Sequence, residues 1–241
     1  MMVRIGNFLF HCRNALFPVV YALLVFKSPP LLANYWLAAI LGFLVALSGQ
    51  LLRAVTIGLE YIIRGGRDRQ VYAETLVQGG LFAHCRNPLY VGNILILLGV
   101  GIASNSVLFL SVAMPFFLFA YWAIITAEEN YLRNKFGQDF DDYCARVNRL
   151  LPNFSGLTQT LKGMRFNWRR LITKEYGSTY YWLVGIILVT LKSIWLNGDY
   201  RHGGLVETAL WLSLVSVTGG YAVARFMKKR GLLKEVPKPV S

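Results

Sequence analysis

The sequence contains little charge and few acidic residues for its length. Only 15% of its 241 residues are charged, 12 are aspartate or glutamate, and 55% are hydrophobic. Soluble domains carry about 25% charged residues, so this composition excludes an ordinary soluble domain and indicates an all-α polytopic membrane protein. The net charge of +13 does not indicate a nucleic-acid partner, because the basic residues separate long apolar runs, where they orient the spans.

Cysteine and histidine are also scarce, with three of each. Cys12, Cys85 and Cys144 are too irregularly spaced for a disulfide framework or a metal site, so we expect reduced thiols and no metal. The first thirteen residues contain charge, and no small-residue cleavage pattern follows them. We therefore expect no cleavable signal peptide.

The apolar runs predict about six transmembrane helices, paired as three hairpins. They cover residues 15–26 (extended by 5–10), 31–59, 88–102, 107–127, 180–196 and 205–226. Pro115 should kink the fourth. Under this arrangement only Lys27, Lys192 and Arg201, of 25 basic residues, lie on one side. Both termini and the loop containing Arg64 should then be cytosolic, in a multi-pass protein of a prokaryotic inner membrane.

The predicted organisation has four segments. Residues 1–60 form an N-terminal hairpin, 61–155 a core, 156–178 an amphipathic segment, and 179–241 a C-terminal hairpin with a basic tail. In the third segment, apolar residues recur every three or four positions with basic residues between them, at Leu157, Leu161, Met164, Trp168 and Leu171. This pattern suits a helix lying among lipid headgroups or one packed on the cytosolic domain.

The stretch GGLFAHCRNPLYVGN, residues 79–93, organises the core. Asn87 fits a helix N-cap and Pro88 the first helical position, so a helix should begin here and the chain should bend at Asn87. Bent, glycine-flanked backbone occurs at a membrane boundary only where protein groups or a water-filled cavity provide hydrogen-bond partners for its N–H and C=O groups. The stretch therefore predicts a ligand pocket beside His84, Arg86 and Tyr90. Its tetrapeptide His-Cys-Arg-Asn also occurs at residues 11–14, which we treat as coincidence.

Glu128 and Glu129 end the fourth apolar run, and a hairpin brings them close to Pro88. A helix N-terminus attracts an anionic group and a carboxylate attracts an amine, so the cleft suits S-adenosylmethionine. A dinucleotide phosphate can equally use the helix N-terminus and the arginines. Alternatively, the glutamates only cap the membrane edge, with Glu129 paired to Arg133 one turn on.

The stretch at 79–93, a membrane hairpin and EENYLRNKFGQDFDDYCARVNRLLPNF together resemble the isoprenylcysteine carboxyl methyltransferase family and the related phospholipid N-methyltransferases. The shared signature is R-H-P-x-Y-x-G, a glutamate pair and F-G-x-x-[FY]-x-x-Y, and the resemblance covers about residues 74–154. It implies a membrane methyltransferase that uses S-adenosylmethionine. The cofactor-binding residues that it implies are Leu76, Val77, Phe82, Asn87, Pro88, Leu89, Tyr90, Gly92 and Glu129.

Two departures from the family pattern bear on chemistry. Asn87 replaces the signature histidine, and Ile125 stands where relatives that methylate a prenylcysteine carboxylate have an arginine. A carboxylate acceptor then lacks its nearest partner unless Arg86 or Arg133 substitutes. The acceptor left open is a lipid amine, another carboxylate or a hydroxyl, with membrane lipids as partners and the oligomeric state undetermined.

The expected reaction is an in-line methyl transfer accelerated by placement and desolvation. The predicted catalytic residues are His84, Arg86 and Glu128, with His84 or Glu128 as the base for an amine or alcohol. A rival interpretation is an NADPH-dependent membrane reductase of the sterol-reductase type, with an R-H-x-N-Y pattern and a pair like Tyr143-Cys144. Pro88, and the lack of an asparagine before Tyr90, favour the methyltransferase. A non-catalytic membrane scaffold is the third interpretation, and it predicts that neither compound binds.

Overall fold

The computed structural model describes residues 1–59, 73–163, 165–200 and 204–233. Regular structure in these ranges is helical. The α-helices are α1 (Met2–Tyr21), α2 (Tyr35–Leu59), α3 (Pro88–Ala103), α4 (Met114–Phe136), α5 (Gln138–Arg146), α6 (Leu157–Gly163), α7 (Trp168–Leu196) and α8 (Leu205–Lys229). The boundary predicted at residue 60, the arginine loop that follows it, Met164 and Arg201 lie outside the described residues.

Within the described ranges, four helical units are long and apolar enough to cross a membrane: α2, residues Phe109–Phe136, α7 and α8. α3 is also apolar but has only 16 residues. α1 has 20 residues and packs along α4, yet it is not among the four. The all-helical membrane-protein prediction agrees with this architecture, while the count of about six spans stays a prediction.

Two helices differ in length from the apolar runs predicted for them. α1 begins at Met2, three residues before the predicted extension at residues 5–10, and forms one helix that contains Pro18. α4 continues nine residues past the predicted end at 127, because no helix-breaking residue occurs before Gly137, whose φ of +54° ends the helix. Glu128 and Glu129 therefore lie inside a helix that continues beyond the apolar run, and they point in directions about 100° apart.

Pro115 does not stand in the middle of a regular helix. A π-helical turn at Phe109–Ala113 precedes α4, and Pro115 lies in the first turn of α4. Residues Phe109–Phe136 nevertheless form one continuous helical unit, and the irregular hydrogen bonding of the π-helical turn lies directly before Pro115, which has no N–H to donate. The predicted kink stays a prediction.

α2 and α3 pack with their backbones in contact along a stripe of small residues. A Cβ atom on Gly99 would lie 2.4 Å from the Ala46 nitrogen, and one on Gly42 would lie 2.3 Å from the Ala103 nitrogen. Such close approach between apolar helices depends on glycine and alanine. This contact places the first turn of α3, where the candidate site lies, relative to α2.

The amphipathic segment predicted over residues 156–178 is not one helix. α6 ends at Gly163, and α7 begins at Trp168, where the Asn167 side chain accepts a hydrogen bond from the Arg170 amide at 2.9 Å. The Asn167 amide donates to the Gly58 carbonyl at 2.8 Å, which joins this break to the end of α2. α7 then runs unbroken to Leu196, so the boundary predicted at residue 178 falls within a helix.

Candidate functional site

The loop before α3 is held by the chain that follows α5. The Arg86 amide donates to the Asn148 carbonyl at 2.9 Å, and the Asn153 amide donates to the His84 carbonyl at 2.9 Å. The Tyr143 hydroxyl adds a hydrogen bond to the Phe82 carbonyl at 2.7 Å. Protein groups thus satisfy the irregular backbone that the sequence predicted at this boundary.

α3 begins at Pro88 with Asn87 in the N-cap position, as the sequence predicted. The Asn87 side chain does not cap the helix by a hydrogen bond. Its amide nitrogen instead donates to Glu129 Oε1 at 3.3 Å and to the Arg149 carbonyl at 3.1 Å. Asn87 therefore starts the helix by its backbone conformation and uses its side chain to reach α4.

Glu129 lies at the centre of a cluster of donors. Its Oε1 accepts from Arg86 Nε at 3.2 Å and from Asn87, and its Oε2 is 2.8 Å from an Arg149 terminal nitrogen. The alternative pairing of Glu129 with Arg133 is wrong, because Arg133 pairs with Asp141 at 2.7 Å. The two distant pieces of sequence that we expected to meet do so at Glu129.

Arg149 is a residue of the site that the sequence did not reveal. Its terminal nitrogen also donates to Thr126 Oγ1 at 3.0 Å, and its guanidinium carbon lies 4.3 Å from the centre of the Trp122 ring. Its Nε is buried and, among the described residues, has no hydrogen-bond partner. Arg149 thus lies along α4 from Trp122 to Glu129, and no local sequence pattern marks a residue that a turn carries back to the site.

Glu128 faces a second, separate polar group. The Tyr90 hydroxyl donates to Glu128 Oε1 at 2.7 Å, and the Tyr90 ring centre lies 5.5 Å from that of Tyr121. The Arg13 guanidinium of the first His-Cys-Arg-Asn copy packs over the Phe10 ring, 4.1 Å from its centre. The second copy places Arg86 in an ion pair with Glu129.

His84 does not join either carboxylate. Its Nδ1 lies 2.7 Å from the Asn153 carbonyl oxygen and its Nε2 lies 2.9 Å from Thr160 Oγ1. Because a carbonyl oxygen only accepts hydrogen bonds, Nδ1 carries the hydrogen and donates a hydrogen bond to the Asn153 carbonyl. With both ring nitrogens engaged, His84 links the loop to α6.

The remaining predicted cofactor residues divide into two groups. The first group consists of half-buried residues in the loop before α3, namely Leu76, Val77 and Phe82. Gly92 is buried against α2, where a Cβ atom would lie 2.4 Å from Arg53 Cγ, and the Leu89 carbonyl accepts from Arg53 at 3.3 Å. The structure thus gives Gly92 a packing contact with α2.

The cysteines next to the site are poor nucleophiles. Burial raises the pKa of the Cys85 thiol and of the Cys144 thiol, and it also raises the pKa of the Tyr143 hydroxyl. These groups therefore stay protonated at neutral pH. Among the described residues there is no group of three or more His, Cys, Asp or Glu side chains that could hold a metal ion.

These features define a helical membrane protein in which two adjacent carboxylates of α4 lie beside the first turn of α3. Residues 37–139 match the family model described as phospholipid methyltransferase, so the resemblance predicted from the sequence is confirmed for this region. The match includes most of α2, in which the sequence had shown no likeness, and it stops before the end of α5. It covers less than half of the chain, and it supports a membrane methyltransferase.

Two curated proteins are similar to part of the chain. The cobalt-zinc-cadmium resistance protein CzcN of Cupriavidus metallidurans is 36% identical over 81 residues, which are 34% of this chain and 37% of that protein. The nickel-cobalt-cadmium resistance protein NccN of Alcaligenes xylosoxydans xylosoxydans is 34% identical over 80 residues, 33% of this chain and 37% of that protein. The chain thus matches little more than a third of the length of either relative. No solved structure matches it significantly.

Proposed function

We propose that this protein is an integral-membrane methyltransferase that uses S-adenosylmethionine to methylate a lipid or lipidated acceptor at the cytosolic leaflet. The observation that carries the proposal is the Glu129 carboxylate, which Arg86, Asn87 and Arg149 surround at the start of α3. This cluster combines a carboxylate with a helix N-terminus, and Glu129, Arg86 and Asn87 lie within the region that matches the methyltransferase family.

The residues of the cluster fit both charged ends of the amino-acid part of S-adenosylmethionine. A carboxylate has about four acceptor positions, and described residues use three of those on Glu129, which leaves one for an ammonium group. The buried Arg149 Nε and the Leu89 N–H in the first turn of α3 are donors for a carboxylate. Pro88 has no N–H, and the Tyr90 and Val91 amides donate to the Asn87 carbonyl. When bound, the cofactor supplies an activated methyl group on its sulfonium.

Glu128 and Tyr90 are assigned to the acceptor. Tyr90 donates to one oxygen of Glu128, which fixes the orientation of that carboxylate. An amine or alcohol must lose a proton during methyl transfer, and Glu128 is positioned as the base that takes it. His84 is left out of proton transfer because described residues engage both of its ring nitrogens.

Ligand binding separates this function from its rivals. S-Adenosylhomocysteine at about 100 times its Kd should stabilise the detergent-solubilised protein by about 2.7 kcal/mol, which raises Tm by several degrees, because it binds only the folded state. NADPH at the same concentration should leave Tm unchanged. A shift with NADPH alone would favour the reductase, and no shift with either compound would favour the scaffold.

Glu128→Gln should separate chemistry from cofactor binding. The amide keeps the shape of the side chain but cannot take a proton, so transfer of a radiolabelled methyl from S-adenosylmethionine to a total lipid extract should slow by about 100-fold. The affinity for S-adenosylhomocysteine should stay within about twofold, because Glu129 remains. An unchanged transfer rate would rule out Glu128 as the base and point to a carboxylate acceptor, which needs none.

A further inference from the structure

A buried ion pair joins α2 to α7 within the apolar part of the protein. Arg53 and Glu175 expose only 1% and 3% of their side chains. Arg53 Nη2 lies 2.7 Å from Glu175 Oε1, and Arg53 Nε donates to Glu175 Oε2 at 2.9 Å, so the guanidinium binds the carboxylate with two parallel hydrogen bonds. Gln50 adds a donor to Glu175 Oε2 at 3.2 Å, and Trp182 donates to Gln50 at 3.0 Å.

The other arm of Arg53 reaches the first two turns of α3. Its Nη1 donates to the Leu89 carbonyl at 3.3 Å and to the Asn93 side-chain oxygen. Gly92 makes this approach possible, because a Cβ atom there would collide with Arg53 Cγ. Leu89 lies between the two residues that contact the glutamates. Asn87 donates to Glu129, and Tyr90 donates to Glu128. Arg53 therefore links α7, which lies outside the family match, to the turn that presents both contacts.

Stability alone gives a weak reason to keep this pair. Removing charges from water is costly, and apolar residues of similar volume in place of a buried pair are often neutral or stabilising. Ionisable residues inside membrane helices are rare and are usually functional. The second arm, directed at the helix that carries Tyr90 and Asn87, provides such a role.

We propose that Arg53 and Glu175 are positioning residues that hold the first turn of α3 in the register that brings Tyr90 to Glu128 and Asn87 to Glu129. Glu175 orients the guanidinium, and the guanidinium holds the Leu89 carbonyl and the Asn93 side chain. The effect on ligand affinity rests on the proposed function, whereas the effect on the α3 turn does not. The proposal also gives the C-terminal helix α7 a role in the site.

The test uses two variants and a control, all in the full chain. The double variant Arg53→Met with Glu175→Leu removes both charges together. Arg53→Lys keeps a positive charge beside Glu175, but a single ammonium cannot bind both Glu175 oxygens and the α3 acceptors at the same time. The control is Lys192→Met, also on α7, whose ammonium donates to the Leu24 and Phe26 carbonyls away from the site. Hydrogen exchange followed by mass spectrometry measures opening of residues 87–93, and calorimetry measures the affinity for S-adenosylhomocysteine.

Both variants should exchange the amides of residues 87–93 about tenfold faster than the parent, with α2 and α7 within about twofold. Their affinity for S-adenosylhomocysteine should fall about tenfold, while Lys192→Met leaves both quantities unchanged. If the parent itself does not bind the compound but exchange still rises locally, the proposed function fails and the positioning role stands. Exchange that is unchanged or that rises equally across α2 and α7 would overturn the role. So would failure of both variants to fold when Lys192→Met folds.

Discussion

Glu129→Gln should weaken the affinity for S-adenosylhomocysteine by about 100-fold, because hydrogen bonds to charged groups contribute about 1.5–3 kcal/mol. The amide keeps the size of the side chain, yet it loses the negative charge that an ammonium group needs. It also puts an NH2 group among the donors of Arg86, Asn87 and Arg149, so the cluster that orients the ligand is disturbed. Calorimetry on the detergent-solubilised protein measures the change.

The matched control for this prediction is Asp141→Asn. Asp141 pairs with Arg133 at 2.7 Å, but both side chains are about half exposed, at 46% and 50%. Exposed pairs contribute only about 0–1 kcal/mol, so this variant should keep both its Tm and its affinity for the ligand. Parent-like affinity in Glu129→Gln, or an equal loss in Asp141→Asn, would contradict the role assigned to Glu129.

Gly99→Leu should prevent accumulation of folded protein. The first atom of any side chain at this position would lie 2.4 Å from the Ala46 nitrogen and 2.5 Å from the Gly42 oxygen, both of them backbone atoms that cannot move aside locally. The cost should therefore exceed the roughly 1–3 kcal/mol typical of overpacked cores, because α2 and α3 must separate. The monodisperse fraction recovered by size-exclusion chromatography should fall close to zero.

Gly219→Leu is the control for the Gly99 substitution. Gly219 lies on the apolar helix α8, and a Cβ atom there would meet nothing within 4 Å. Both substitutions add the same side chain to an apolar helix, so the two variants have the same gain in hydrophobicity and should be synthesised at the same level. Folded yield should stay at the parent level in Gly219→Leu. A normal yield from Gly99→Leu would show that α2 and α3 do not pack as described.

Local rules predicted the start of the candidate site well. The Asn87-Pro88 pair restricts the backbone so strongly that it predicted the beginning of α3 without knowledge of the fold. The meeting of Glu129 with Arg86 followed from the hairpin alone, since adjacent apolar runs return the chain to the side from which it started. Both features depend on sequence neighbours or on one tight connection.

Features that depend on long-range packing were not predictable in the same way. Arg149 joins Glu129 only because the chain after α5 folds back along the loop, and Glu175 meets Arg53 across 122 positions of sequence. His84 belongs to the stretch at residues 79–93, but Asn153 and Thr160 occupy its ring nitrogens. Hydropathy placed the end of the fourth span at residue 127, because polarity changes there, whereas the helix itself ends at the next glycine.

The most direct measurement of the central claim is an experimental structure of the protein with S-adenosylhomocysteine. The account predicts that the ligand lies between the first turn of α3 and α4, with its amino group within about 3.2 Å of a Glu129 oxygen. Its carboxylate should meet Arg149 or the Leu89 N–H at the start of α3. A ligand bound elsewhere, or a structure at saturating concentration in which Glu129 contacts only protein, would contradict the account.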